Sequence, residues 1–413
     1  MGVLFAAFIT VIIVLWTFVA AANSRLEIPC SLLANSTPQV PMNVTKFLSD
    51  WTDDVNNRYA DGVTLRFVNC NLTTPSALSF DTRFDTPAPQ SDVDVTVAFE
   101  SLTVASGTAG SIALVAVDDA VANVHIQMWN CSVKVQAGQH FLSWTNLQSV
   151  HGVSFSVMDS NISITGDDTG NGTSAFCMML GGGGGSSSSH SSSSSSKSVL
   201  SIFVNNSRVI SEHSPRTSGG SAIVCAVSVV VGSLPTMGLA DVDISLLDSA
   251  VDVFSKGGPA VAAAVLAPQG ANISRCNITV VRSASSARSG DMAASAAIVG
   301  GILWSESVFL MSESSSLFAS GSAGVASLGI AMYFAPSIAS SRRRFDIVGL
   351  IINSHNSNLT SLGVSCTVAI GVFIWSSAIS TVWISNVSLD VNASSISTQG
   401  AVGQCSLGLG VYT

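Results

Sequence analysis

The chain has 413 residues, enough for two or three ordinary domains or for one long repeat array, yet only 10% are charged while 47% are hydrophobic. An ordinary globular domain carries about 25% charged residues, so this surface must be built from Ser, Thr, Asn and Gly; Ser and Thr alone number 96. A net charge of −9 with no basic stripe excludes nucleic acid as a partner, and the single basic run, Arg342-Arg343-Arg344, reads as a solvated turn.

Residues 1–22 come first and set the compartment. From Gly2 to Ala22 there is no charged side chain, and Ala20-Ala21-Ala22 offers the small residues of a signal-peptide cleavage site. A run of this length also suffices to span a bilayer, so a signal anchor attaching the protein to a membrane through residues 2–22 is the alternative. Either way the chain is expected in the secretory pathway, cell-surface or secreted. Twelve of its 21 asparagines begin an Asn-x-Ser/Thr sequon: Asn35, Asn43, Asn71, Asn130, Asn161, Asn171, Asn205, Asn272, Asn277, Asn358, Asn386 and Asn392. That is about twice what the Ser and Thr content gives by chance, and it predicts a glycosylated surface. The competing reading is that Asn and Ser share turns. Eight cysteines, mostly 40 to 60 residues apart, form no CxxC pair, which leaves bridges and buried thiols equally open.

Residues 23–62 lack the pattern that follows. Within them Thr45–Tyr59 places Phe47, Leu48, Trp51, Val55 and Tyr59 mostly three or four apart, which predicts one short amphipathic helix in an N-terminal cap. A solenoid needs such a cover because its first strand exposes unpaired backbone groups.

From residue 63 to 413 the chain repeats. Gly107, Gly138, Gly170, Gly219, Gly257, Gly290, Gly321, Gly363 and Gly400 punctuate it at intervals of 31 to 49 residues. Each unit carries two alternating apolar runs in opposite phase around one residue. Val124, Ile126 and Met128 alternate, Asn130 intervenes, and Cys131, Val133 and Val135 resume. The same shift occurs at Asn69, Asp159, Asn206, Asp248 and Asn386, with Arg275 and Glu306 in the equivalent place in two more units. A one-residue slip would turn every later side chain to the wrong face unless that residue absorbs a bend, and Asn and Asp enter the left-handed region most cheaply. Two strands joined by a one-residue bend describe one coil of a right-handed parallel β-helix, a pectin-lyase-like, all-β solenoid of about nine to ten coils. The inward residue just after the bend is small: Cys70, Cys131, Ser160, Ser207, Ser249 and Cys276, with Leu102 and Val387 larger. Size rather than sulfur chemistry is expected to govern it. The unit around Ile351-Ile352-Asn353-Ser354 fits poorly. Residues 181–197, a Gly/Ser tract, read as a disordered insert ejected from one coil. Gln404–Leu409 starts a further coil with no second cap, as expected of a truncated copy or of one that leans on another chain.

No catalytic, cofactor-binding or metal-binding residue emerges. Asp118-Asp119 and Asp167-Asp168 lack the companion motifs of pectin-degrading enzymes, Asp92/Asp94 and Asp241/Asp243 alternate with apolar residues and point outward, and the histidines show no metal spacing. The expected function is a structural or adhesive scaffold for extracellular protein or glycan ligands, and not an enzyme. The alternatives are a carbohydrate-active β-helix enzyme and a multi-pass membrane protein through the charge-free stretches 222–240 and 362–384. Asn69-Cys70-Asn71-Leu72-Thr73 and Asn130-Cys131-Ser132-Val133, set on Ser-, Val- and Ala-rich coils, resemble large kinetoplastid surface proteins of the dispersed gene family and related membrane-associated proteins. The resemblance covers residues 60–413 in style rather than through a diagnostic motif. It implies a β-helix surface glycoprotein of adhesive or unknown function.

Overall fold

The computed structural model describes residues 24–37, 39–51, 62–80, 94–105, 111–116, 120–136, 140–147, 149–166, 173–180, 200–213, 224–231, 238–322, 324–333, 344–364, 366–375, 381–400 and 404–412. Residues 2–22, the tract 181–197, the Asp118-Asp119 and Asp167-Asp168 pairs, Asn171, and Arg342 with Arg343 lie outside them.

Every strand pairing among the described residues is parallel, and the chain winds into a β-helix with three faces. Sheet 1 contains Val63–Val68, Val95–Glu100, Val124–Trp129, Val153–Met158 and Leu200–Asn205, and continues in register to Ser388–Asn392. Sheet 2 has ten strands, from Asn71–Leu72 to Ser395–Gln399, which matches the expected number of coils. Sheet 3 runs from Met42–Asn43 through Val224–Val231 to Gln404–Tyr412. Some strands, such as Ala260–Val281 and Ala293–Glu313, pass without interruption from sheet 3 round a corner into sheet 1.

Period-2 alternation places the core. In Val124–Trp129 the residues Val124, Ile126 and Met128 are buried and the residues between them face out; after Asn130 the buried set is Cys131, Val133 and Val135. Each such Val, Ile or Leu contributes about 1.5–3 kcal/mol by leaving water. Sheet 3 differs, because Val224–Val229 and Val261–Leu266 are buried on both faces, and Cys225, Val261, Ala264, Ala294, Ala297 and Val368 form a second apolar cluster away from the interior. Strands buried on both faces read as continuous apolar runs. This is why residues 222–240 and 362–384 resemble membrane spans: their described cores, Val224–Val231 and Cys366–Trp375, are strands of sheet 3. Among the described residues no helix is long and apolar enough to cross a membrane.

The bends form two columns, not one. Asn69, Asn130, Asp159, Asn206 and Asp248 all have φ between 44° and 54° and share a column with Ser101, Arg282, Ser314, Asn356 and Ala393. Arg275 and Asn386 also lie in the left-handed region, but seven residues earlier in their coils, in a first column with Asn123, Gly152, Asp241, Ser307 and Gly349. The bend residues that look alike in sequence therefore divide: Asn69, Asn130, Asp159, Asn206 and Asp248 stack in the second column, and Asn386 lies in the first. Glu306 is not a bend; its neighbour Ser307 is, so Val308 and Leu310 face inward while Phe309 and Met311 face out. Asp241 likewise sits at a bend rather than on a strand face, whereas Asp243 does point outward. The irregular unit resolves too: Gly349 and Asn356 flank Leu350, Ile352 and Ser354, with Ser354 inward beside Ser312 of the preceding coil where earlier coils place an apolar residue.

The cap is larger than one helix. Ser24–Glu27 adds a strand ahead of sheet 1, and the helices Cys30–Ala34 and Val44–Trp51 bury Leu33, Val44 and Leu48 over the first coils. A disulfide joins Cys30 to Cys70. The four other cysteines whose side chains are described, Cys131, Cys177, Cys225 and Cys276, are buried free thiols.

Candidate functional site

Behind the second bend column runs a buried ladder of serines. The N–H of Cys131 donates to Ser160 Oγ at 3.0 Å, that of Ser160 to Ser207 Oγ at 3.0 Å, and that of Ser207 to Ser249 Oγ at 3.2 Å. The chain of bonds continues through Ser283, Ser315 and Ser357 to Ser394. Each hydroxyl in turn donates to the carbonyl two residues before it, as Ser249 does to Leu247 at 2.6 Å. Ser312 and Ser354 hydrogen-bond into the same ladder through Ser357 and Ser394. The small residues after this bend are therefore chosen for a hydroxyl as well as for size, which corrects the size-only expectation. Cys276 and Val387 do not belong to the set, because they follow the first bend. Cys276 is fully buried in a column with Val242 and Val308.

The four described thiols offer no nucleophile. Burial pushes Cys177 up to about 12 and raises Cys131, Cys225 and Cys276 as well, so all four stay protonated at neutral pH. His213, on the inner face of sheet 2, is buried with no hydrogen-bond partner for either ring nitrogen among the described residues. Among the described residues no three His, Cys, Asp or Glu side chains gather where they could hold a metal ion.

The outer face of sheet 1 presents accessible chemistry. Bends seven residues apart frame Val63–Val68, Val124–Trp129 and Val153–Met158, so the face is regular there. On it Trp129 is 54% exposed, and its indole Nε1–H donates to Asp159 Oδ2 at 3.0 Å. The other carboxylate oxygen of Asp159 accepts the Asn206 amide at 2.6 Å, and the Asn130 amide donates to Ser101 Oγ at 3.2 Å. Along the Trp129 strand lie His125 and Gln127, both half-exposed, with His125 Nδ1 2.8 Å from Ser154 Oγ on the next coil. Burial pushes the His125 imidazole down, which keeps it neutral near pH 7.

Three arginines on this face and its bends pair with carboxylates. Arg66 grips Glu100 through Nε at 2.8 Å and Nη2 at 2.5 Å, Arg282 grips Asp248 with both bonds at 2.7 Å, and Arg275 grips Asp241 at 2.5 and 2.9 Å. The hydrogen bonds from these arginines hold the Glu100 and Asp248 carboxyls below the ordinary carboxylate range.

Of the eleven described sequon asparagines, Asn35, Asn71, Asn130, Asn161, Asn277, Asn358, Asn386 and Asn392 are exposed, and Asn43, Asn205 and Asn272 are half-buried. They fall in the cap, on sheets 1 and 2 and at the bends, apart from Asn43 in the first strand of sheet 3. The Trp129 platform itself was missed in the sequence. The signal was there, since Trp129 is the aromatic residue at an outward position directly before an Asn bend. Comparison of the chain with protein-family models, with curated proteins and with solved structures returns no match.

Proposed function

We propose that the chain is a secreted or surface-displayed glycoprotein that acts as a non-catalytic binding scaffold, its contact surface being the outer face of sheet 1. The observation that carries this reading is the regular face around Trp129, where hydrogen-bonding side chains are presented on a backbone without insertions and the neighbouring Glu100 is paired with Arg66. Such a surface suits recognition rather than proton transfer, because the carboxylates beside Trp129 are committed, Glu100 to Arg66 and Asp159 to Trp129 and Asn206. The Cys30–Cys70 disulfide supports an oxidising compartment. The exposed sequons and the resemblance to kinetoplastid surface glycoproteins agree with the same assignment.

The test is expression of the full chain with a C-terminal tag in a eukaryotic cell. The protein is expected in the medium or on intact cells, with a mobility that drops on treatment with peptide N-glycosidase. Accumulation in the cytosol without glycan and with Cys30 and Cys70 reduced would overturn the reading.

A further inference from the structure

We infer that the surface centred on Trp129 binds an uncharged polysaccharide, laid across the coils of sheet 1; this rests on the binding-scaffold reading and names its ligand class. Four observations converge on this class. Trp129 is 54% exposed on a strand rather than a loop, and its indole N–H donates to Asp159, which restrains the ring. A fixed, exposed aromatic face is what the C–H side of a pyranose ring stacks on, while its edge hydroxyls need nearby donors and acceptors. Those groups are present as Gln127, His125 and the Ser154 and Ser156 hydroxyls, all outward on the same or the next strand.

The charge balance selects against anionic ligands. Glu100, the cross-strand neighbour of Trp129, is neutralised by Arg66; Asp159 is occupied by Trp129 and Asn206; and His125 is neutral. An anionic polysaccharide finds no free cation among these groups, and the exposed carboxylate of Asp94 lies at the His125 end of the face, six residues along the neighbouring strand from Glu100. Geometry favours an extended ligand over a single sugar. Successive strands repeat about every 4.8 Å, comparable to the advance of one sugar along an extended glycan, so neighbouring coils meet neighbouring sugars with equivalent backbone geometry.

The full chain, purified from culture medium, is mixed with insoluble cellulose, chitin, xylan, mannan and β-glucan, and retention is measured by co-sedimentation; soluble fragments of any retained polymer are then titrated by calorimetry. Because Asn130 begins a sequon beside the indole, the protein is assayed both as secreted and after removal of N-glycans. Retention of either form on at least one polymer is expected, with Kd weakened at least tenfold in Trp129→Ala and by less in Trp129→Phe. Trp383→Ala, at a residue 55% exposed on another strand, serves as the surface-aromatic control and is expected to bind like wild type. Should Trp129→Ala fail to fold, Gln127→Ala and Trp129→Phe carry the test, each expected to weaken binding. No retention of either form, or a Trp129→Ala that folds and binds like wild type, overturns the inference. Secretion and glycosylation of that same protein would leave the scaffold reading standing without this ligand.

Discussion

The two bend columns share one backbone conformation yet demand opposite side chains, and the difference lies in where one N–H goes. After the first bend, Val63 and Val95 donate their N–H groups to the carbonyls of Asp94 and Asn123 on the next coil. The backbone there satisfies itself, and the inward position can be purely apolar. After the second bend, the ladder changes direction: Asn130 N–H bonds forward to Met158, whereas Ser132 N–H bonds back to Leu102. The residue between them, Cys131, is left with a buried N–H that no carbonyl takes, and the Ser160 hydroxyl takes it. A buried donor left unmade costs about 1–3 kcal/mol, so from Ser160 onward the solenoid places serine there in every coil. The first coil uses the same position differently, putting Cys70 there to anchor the cap.

The largest effect is expected at that anchor. Replacing Cys30 and Cys70 together with Ser should cost about 2–5 kcal/mol, read as a lower urea midpoint and earlier proteolysis of the cap than of residues beyond Gly238. An unchanged midpoint would show that the helices alone secure the first coil. Next come two substitutions that set the columns against each other. Ser249→Ala strands the Ser207 N–H, and Cys276→Ser puts a hydroxyl into an apolar column; each should destabilise by about 1–3 kcal/mol. If Cys276→Ser is silent while Ser249→Ala is not, the position after the first bend does not require an apolar side chain.

Cys131→Ser should fall within about 0.5 kcal/mol of wild type, since a hydroxyl there can donate to the Trp129 carbonyl as its neighbours do to theirs. Cys131→Phe should cost about 1–3 kcal/mol by overpacking. Equal urea midpoints for these two variants would remove size from the account. The smallest effect is acid sensitivity. Glu100 and Asp248 have folded pKa values depressed by Arg66 and Arg282, so their contribution is complete above the ordinary carboxylate pKa and is lost as pH falls through the folded values. Both pairs are part-exposed, which limits each to about 0.2–1 kcal/mol, further reduced by salt. Glu100→Gln should flatten the stability loss below pH 5 by its share, and an unchanged slope would show that solvent screens the pair entirely.

How much was legible depends on the kind of constraint. The phase shift at Asn69, Asn130, Asp159, Asn206 and Asp248 was readable because burial on one face forces period 2 and a bend forces a residue tolerant of positive φ. The first bend column was not separated from the second, because Arg275, Ser307 and Asn386 look in sequence like further copies of the same shift. Only the seven-residue offset within a coil distinguishes them. Glu306 was chosen over Ser307 because serine carries no left-handed signature of its own. The candidate site was harder still, since an exposed tryptophan is defined by what does not cover it.

What the sequence by itself determined is the local grammar: alternation, breaks at Asn and Asp, and a segment before the repeat that lacks it, each a demand made within a few residues of chain. What only the tertiary structure decided is everything that one coil imposes on the next. The corner glycines show this, because a Cβ on Gly290 or Gly321 would come 2.3 Å from the carbonyl oxygen of Lys256 or Asp291, some 30 residues earlier in the chain. The serine ladder and the Trp129–Asp159 bond arise in the same way, from neighbours that stack one strand apart although about 30 to 47 residues separate them in sequence. Periodicity announces that such stacking occurs, but a hydroxyl's partner or a ring's exposure exists only once the coils are in register.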